Sequence, residues 1–383
     1  MTRRIARIIF VFTLVAITSS GINPTTAADG PDWSAGATEL ATLPGHEQGI
    51  IGAVFSPDGR YLTLRNKDFH VDIWDAATGE SLAHLAGLNS WPQHVAYSPD
   101  GTVLAAADLK RLRLWQVPGG GELALLDGCD GPFAWRPDGT GIVGTFKNSE
   151  TPYELRTVSW PAGEVTGAVE DAHPKLVRQM TWSPDGGLLG TSSDDGTLKL
   201  WGGQPLALVR TLAGDVKVGR FAFSPDGALV AAITGKDPGG ILTAAAVYVW
   251  DVATGELKIE LTDFPKGLEP LAWSPDGTLL ATGERQGNRA RLWSIPSGEL
   301  VKALPDHPYT VARLAFSPDG RFLATGSANQ VTVWDIATGT HAWQADAASQ
   351  GLTDVRFSPD GGCVVTTSTD NSAKIWQVNL PGD

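Results

Sequence analysis

Leu314-Ala315-Phe316-Ser317-Pro318-Asp319-Gly320-Arg321-Phe322-Leu323-Ala324-Thr325 sets one tetrapeptide, Ser-Pro-Asp-Gly, between two apolar runs. Proline fixes φ at the second turn position, aspartate tolerates the third, and glycine supplies a positive φ at the fourth. The stretch therefore predicts a β-hairpin. The same tetrapeptide recurs with its aspartate at Asp58, Asp100, Asp185, Asp226, Asp276, Asp319 and Asp360. Arg136-Pro137-Asp138-Gly139 is an eighth copy, altered only in its first residue. An aromatic stands before every turn: Phe55, Tyr97, Trp135, Trp182, Phe223, Trp273, Phe316 and Phe357. Downstream, a β-branched or Leu-rich run ends in tryptophan, as in Leu198-Lys199-Leu200-Trp201, and each unit has one: Trp74, Trp115, Trp160, Trp201, Trp250, Trp293, Trp334 and Trp376. A second turn such as Asp335-Ile336-Ala337-Thr338-Gly339 then leads to a fourth short strand.

Four strands per repeat of about 40–45 residues, with Trp-Asp at Asp75, Asp251 and Asp335, resembles the WD40-repeat family. The resemblance covers residues 39–378 and is to exported propellers of bacterial type; Gly45-His46 preserves the family's Gly-His pair. It implies an all-β, single-domain propeller. The eighth unit stops after its third strand, Lys374-Ile375-Trp376, while Glu39-Leu40-Ala41-Thr42-Leu43 resembles the fourth strands of other units. Pairing the two closes a ring of eight blades and removes an open edge.

Composition limits function. The 383 residues carry a net charge of −13, which argues against nucleic-acid binding. Two cysteines build neither a disulfide scaffold nor a C-x-x-C metal site. Cys129 falls in a Gly-rich loop and Cys363 in an apolar run that reads as buried; no disulfide is expected between units three and eight. Residues 1–28 begin with Arg3, Arg4 and Arg7, continue in an apolar run from Ile8 to Thr18 and end in small residues, the pattern of a secretory signal peptide. The run is short for a membrane span, so export to an extracytoplasmic space is expected rather than an uncleaved anchor. Residues 29–38 then read as a linker, 39–380 as the propeller and 381–383 as a tail.

Within units one, four and seven a histidine lies twelve residues before the turn aspartate: His46, His173 and His307. The family uses such a histidine with Ser, Asp and Trp as a hydrogen-bonded structural tetrad, and His173, Ser193, Asp195 and Trp201 resemble it residue by residue. His46, Asn66, Asp68 and Trp74 form a second such set. Unit eight has Ser368, Asp370 and Trp376 but Ala348 at the histidine position, and unit seven has His307, Ser327 and Trp334. A hydrolytic reading of these residues meets the objection that a tetrad satisfying its own donors is not free for catalysis. A quinoprotein-dehydrogenase-like alternative rests on A-x-D-x-x-T-G-x-x-x-W, matched once and incompletely, by Asp335, Thr338, Gly339 and Trp343 with Val333 in place of Ala. No catalytic residue, metal ligand set or cofactor is implied.

Binding is the remaining class. The distance from turn aspartate to tryptophan is 15–17 residues in six units, but 22 in unit three and 24 in unit five. The added length falls between Phe146 and Tyr153 and between Gly235 and Ala244, which the WD40 resemblance implies lie on the face of the histidine-bearing loops. Loop insertions on one face of a repeat protein mark a binding surface. Phe146, Lys147, Tyr153, Lys236 and Asp237 are the candidate partner contacts. Arg65, Lys67 and Lys110 share that face with Glu170 and Asp171, a mixture that suits a protein or peptide partner. The sequence thus reads as a non-enzymatic interaction scaffold, with an exported propeller enzyme as the alternative.

Overall fold

The computed structural model describes residues 36–44, 47–108, 110–147, 152–213, 217–235, 245–264, 267–284, 287–304 and 307–379. The signal segment at 1–28, the linker up to 35 and the tail at 381–383 lie outside them. The described residues form eight four-stranded antiparallel sheets and no helix. Seven blades use consecutive strands. Blade 1, for example, runs Ile50–Phe55, Tyr61–Asn66, Val71–Asp75 and Ser81–Leu85 from its inner to its outer strand. The eighth is ordered differently. Leu352–Phe357, Cys363–Ser368 and Ala373–Asn379 supply three strands, and Gly36–Leu43 from the other end of the chain supplies the outer one. That strand begins at Gly36, so the boundary drawn at 39 from sequence is three residues late.

Closure is made by side chains as well as backbone. Gly36 lies opposite Asn379 and Leu43 opposite Ala373, with one bulge between Glu39 and Ala41. Leu43 is fully buried among Leu62, Trp74 and Ile375, in a cluster shared by blades 8 and 1. Lys374 Nζ donates to Glu39 Oε2 at 2.9 Å between the two outer strands of blade 8.

The repeated turn explains why serine, and not only Pro-Asp-Gly, recurs. Gly320 sits at φ 75° and donates its N–H to the Ser317 carbonyl at 2.9 Å. The N–H groups of Phe322 and Arg321 then donate to Ser317 Oγ at 2.9 Å and Asp319 Oδ1 at 3.1 Å. The buried serine thus pairs the first N–H of the following strand. The Trp-Asp turn has its own logic: Asp335 Oδ1 accepts from Thr338 N at 2.8 Å and from Thr338 Oγ1 at 3.0 Å. The Asp-x-x-Thr-Gly string is therefore accounted for by turn chemistry.

Core formation follows strand alternation. Within blade 1, Val71 and Ile73 pack toward Val95 and Tyr97 of blade 2, while Trp74 faces Val365 and Ile375 of blade 8. Seven of the eight recurring tryptophans are buried; Trp160 stands just past its strand, half-buried, with its ring edge-on to Trp135. The cysteines reverse the expectation. Cys129 opens the inner strand of blade 3 at 0% exposure, and burial pushes its thiol up to about 12. Cys363 is only partly buried; both are free thiols.

Candidate functional site

His173 ends the outer strand of blade 3 and enters the seam with blade 4 at 0% exposure. Its Nδ1 lies 2.8 Å from Asp195 Oδ2 and its Nε2 lies 2.8 Å from Thr191 Oγ1. Trp201 Nε1 donates to the same Thr191 oxygen at 2.8 Å. A neutral imidazole with its proton on Nδ1 satisfies every member: Trp201 donates to Thr191, Thr191 to His173, and His173 to Asp195. Asp195 is held below its ordinary carboxylate range; burial opposes this, but hydrogen bonds from Thr197 and His173 outweigh it.

The bridging hydroxyl is Thr191, and this corrects the assignment of Ser193. Ser193 Oγ instead donates to the Lys175 carbonyl at 3.1 Å and accepts from Asp195 N at 3.1 Å, bracing the loop. Strand register gives the reason. Trp201 lies opposite Leu189, and the residue two further along, on the same sheet face, is Thr191. Threonine recurs at that register position in blades 6, 7 and 8. Thr282, Thr325 and Thr366 accept from Trp293, Trp334 and Trp376 at 2.9, 2.9 and 3.0 Å. His307 Nε2 joins Thr325 Oγ1 at 2.9 Å.

Blade 1 departs from the second assigned set. Its register position holds Leu64, which has no hydroxyl to offer Trp74. Asn66 Nδ2 donates to Asp72 Oδ2 at 3.0 Å, and Asp68 Oδ2 accepts from the N–H groups of Glu47 and Gln48 at 3.0 and 3.1 Å. His46 lies outside the described residues.

The loop candidates are also redistributed. Phe146 and Tyr153 are 5% and 7% exposed, since the strands flanking the loop extend through them. Phe146 packs with Cys129 and Phe133, so it supplies core and not contact surface. Among the described residues of this arm only Lys147 is exposed, its ammonium 4.9 Å from the Tyr153 ring centre. Lys236 and Asp237 lie outside the described residues. Arg65, expected on the open face, is buried, and its Nη1 donates to the Gln93 carbonyl at 2.7 Å.

What that face does present is Tyr309, 61% exposed, in the loop entering blade 7. It borders a shallow 460 Å³ hollow with Asn288, Thr310, Ala328 and Gly351, contributed by loops of blades 6, 7 and 8. Phe69, at 45%, stands on the loop between the second and third strands of blade 1. Sequence reading passed over Tyr309 because its loop has ordinary length; an aromatic two residues beyond His307 was the available signal.

Thr191, His173 and Asp195 reproduce in outline the nucleophile, base and orienting acid of a hydrolase. Thr191 and His173 are nonetheless at 0% exposure, and the Thr191 oxygen already accepts the tryptophan N–H. No reacting atom can reach it.

Two buried histidines make stability depend on pH. Burial pushes His94 down to about 3, with the Arg65 charge acting in the same direction. His173 is lowered because burial outweighs the pull of Asp195. The unfolded chain takes up a proton at each near pH 6.5, and the folded chain resists it. Their contribution is therefore intact above about pH 6.5 and is lost as pH falls toward the folded-state values. At pH 5, His94 alone lowers stability by about 2 kcal/mol. Urea unfolding at pH 7 and pH 5 measures this. His94→Gln is expected to shrink the difference between the two pH values by that amount, and an unchanged difference contradicts the assignment.

Eight four-stranded blades, with a tryptophan–threonine bond repeated in four of them, define a closed repeat propeller. The family described as WD domain, G-beta repeat matches residues 37–75, 166–202, 271–294, 298–335 and 341–377. The chain belongs to the WD40-repeat family. Among curated relatives, WD repeat-containing protein slp1 of Schizosaccharomyces pombe is 26% identical over 170 residues, covering 43% of this chain and 34% of the relative. Nuclear distribution protein PAC1 of Coccidioides posadasii is 25% identical over 202 residues, 45% of this chain and 43% of that protein. The chain thus spans under half the length of either. Among solved structures, the computationally designed Ika8 protein superposes with a TM-score of 0.74 at 21% identity, over 89% of this chain and 99% of that one. That likeness concerns the fold.

Proposed function

We propose that the protein is a non-enzymatic interaction platform that binds a protein or peptide segment across the loop face bearing Tyr309. One observation carries the reading: a tyrosine 61% exposed on the rim of a 460 Å³ hollow formed by three successive blades. Tyrosine is enriched at binding hot spots because it brings a large rigid surface and a polar tip. Membership in the WD40 family supports an interaction role, and the sealed Thr191–His173–Asp195 chain supports the absence of hydrolysis. No helix among the described residues is long and apolar enough to cross a membrane. Residues 1–28 support action outside the cytoplasm.

The test is capture of the partner by cross-linking in the extracytoplasmic fraction, then titration of that partner against purified variants. Tyr309→Ala is expected to weaken the complex at least tenfold, about 1.4 kcal/mol, with an unchanged melting temperature. Full affinity in Tyr309→Ala rejects this face. A captured chain still carrying residues 1–28 rejects cleavage of the signal.

A further inference from the structure

Blade 1 gathers three metal-ligand side chains that no family pattern explains. His70 and Asp72 are two residues apart at the start of the third strand and so project from the same face. Asp72 pairs across the sheet with His84 on the outer strand. His70 Nε2 stands 3.3 Å from Asp72 Oδ2, and His84 Nδ1 stands 2.8 Å from Asp72 Oδ1. The two imidazole rings have centroids 4.0 Å apart.

We propose that His70, Asp72 and His84 form a binding site for a borderline transition-metal cation of the Zn²⁺ class. Ligand atoms around a tetrahedral Zn²⁺ with bonds of ~2.0–2.1 Å stand roughly 3.3 Å apart. One ligand atom from each of these three side chains already lies within 4.8 Å of the others. Closing that span needs only a small turn of the His84 ring, whose side chain is 60% exposed.

The surroundings orient the set as a metal's outer partners do. His70 Nδ1 faces the Asp68 carbonyl at 3.2 Å, which places the ring proton there and aims Nε2 inward. That Nε2 is buried and faces the Asp72 carboxylate. Asn66 Nδ2 donates to Asp72 Oδ2 at 3.0 Å and fixes the carboxylate. The side chains of His70 and Asp72 are 13% and 8% exposed, so two donors are held rigidly while the third opens to solvent. Three protein ligands and one open side leave a position for water or an incoming group. Two imidazoles and one carboxylate select Zn²⁺, Ni²⁺ or Cu²⁺ over Mg²⁺ and Ca²⁺, which need six or more oxygen ligands or retained waters.

Calorimetric titration of the chelator-treated full chain with ZnCl₂ tests the site, with Co²⁺ absorption as a second readout. The expected result is one equivalent of Zn²⁺ bound, visible bands of four-coordinate Co²⁺, and no comparable uptake of Mg²⁺. His84→Ala changes an exposed side chain and keeps the fold, and it is expected to weaken Zn²⁺ at least tenfold. His70→Ala is expected to do the same. His341→Ala removes an exposed histidine on blade 7 and is expected to bind as the parent does. Failure of the parent to take up one equivalent, or parental affinity in His84→Ala, overturns the proposal.

Discussion

Removing residues 36–43 is expected to lower unfolding stability by about 5 kcal/mol, against a total of ~5–15 kcal/mol for a domain. Leu43 is fully buried in the seam of blades 8 and 1. Burying a leucine contributes roughly 1.5–3 kcal/mol. The deletion also takes the pairing partner from every residue between Ala373 and Asn379, leaving an open strand edge that templates association. Urea unfolding gives the free energy, and size-exclusion chromatography shows the association. Leu43→Ala, which keeps the backbone pairing, is expected to lose about 2–5 kcal/mol through the cavity. An unaltered unfolding midpoint in the deletion variant would reject closure by this strand.

Thr191→Val is expected to cost about 2–4 kcal/mol, because it keeps the volume and removes the one oxygen shared by Trp201 and His173. Each buried polar group left without a partner accounts for about 1–3 kcal/mol. Ser193→Ala is expected to lose about 1 kcal/mol, since its hydroxyl braces a loop through two backbone groups. The order of the two effects decides which hydroxyl carries the network. A Ser193→Ala loss larger than that of Thr191→Val would restore the assignment made from the family pattern.

The turns and tryptophans were legible because each is local: Ser317 and Asp319 bond within five residues, and the aspartate does the same work in every blade, the serine in every blade but the third. Closure was legible because an unpaired third strand at one end called for a fourth from the other. Thr191 was not. Choosing between Thr191 and Ser193, which share a sheet face, requires knowing that Leu189 lies opposite Trp201, and register is a property of the paired sheet. The cluster of His70, Asp72 and His84 was hidden for a similar reason. The outer strand of blade 1 shifts register between Ile73 and Trp74, so the spacing of twelve residues from Asp72 to His84 does not announce a pair. Phe146 and Tyr153 were read as loop because unit length locates an insertion without showing how far the flanking strands run. Here the backbone pairs Phe146 with Glu154, so the hydrophobic residues at the loop's base stay in the sheet.

The pairing of Gly36–Leu43 with Ala373–Asn379 also has a kinetic meaning. Glu39 and Lys374 meet across 335 positions, the kind of contact that forms slowly because a long segment must be ordered before the pairing is rewarded. During synthesis, blades 1 to 7 emerge with all four strands in succession, whereas the first strand made waits for the last. Until residues 373–379 appear, Leu43 lacks the blade 8 side of its seam, and the growing chain carries Gly36–Leu43 without its partner strand. Closure of the ring therefore depends on a pairing that cannot form before residues 373–379 are made.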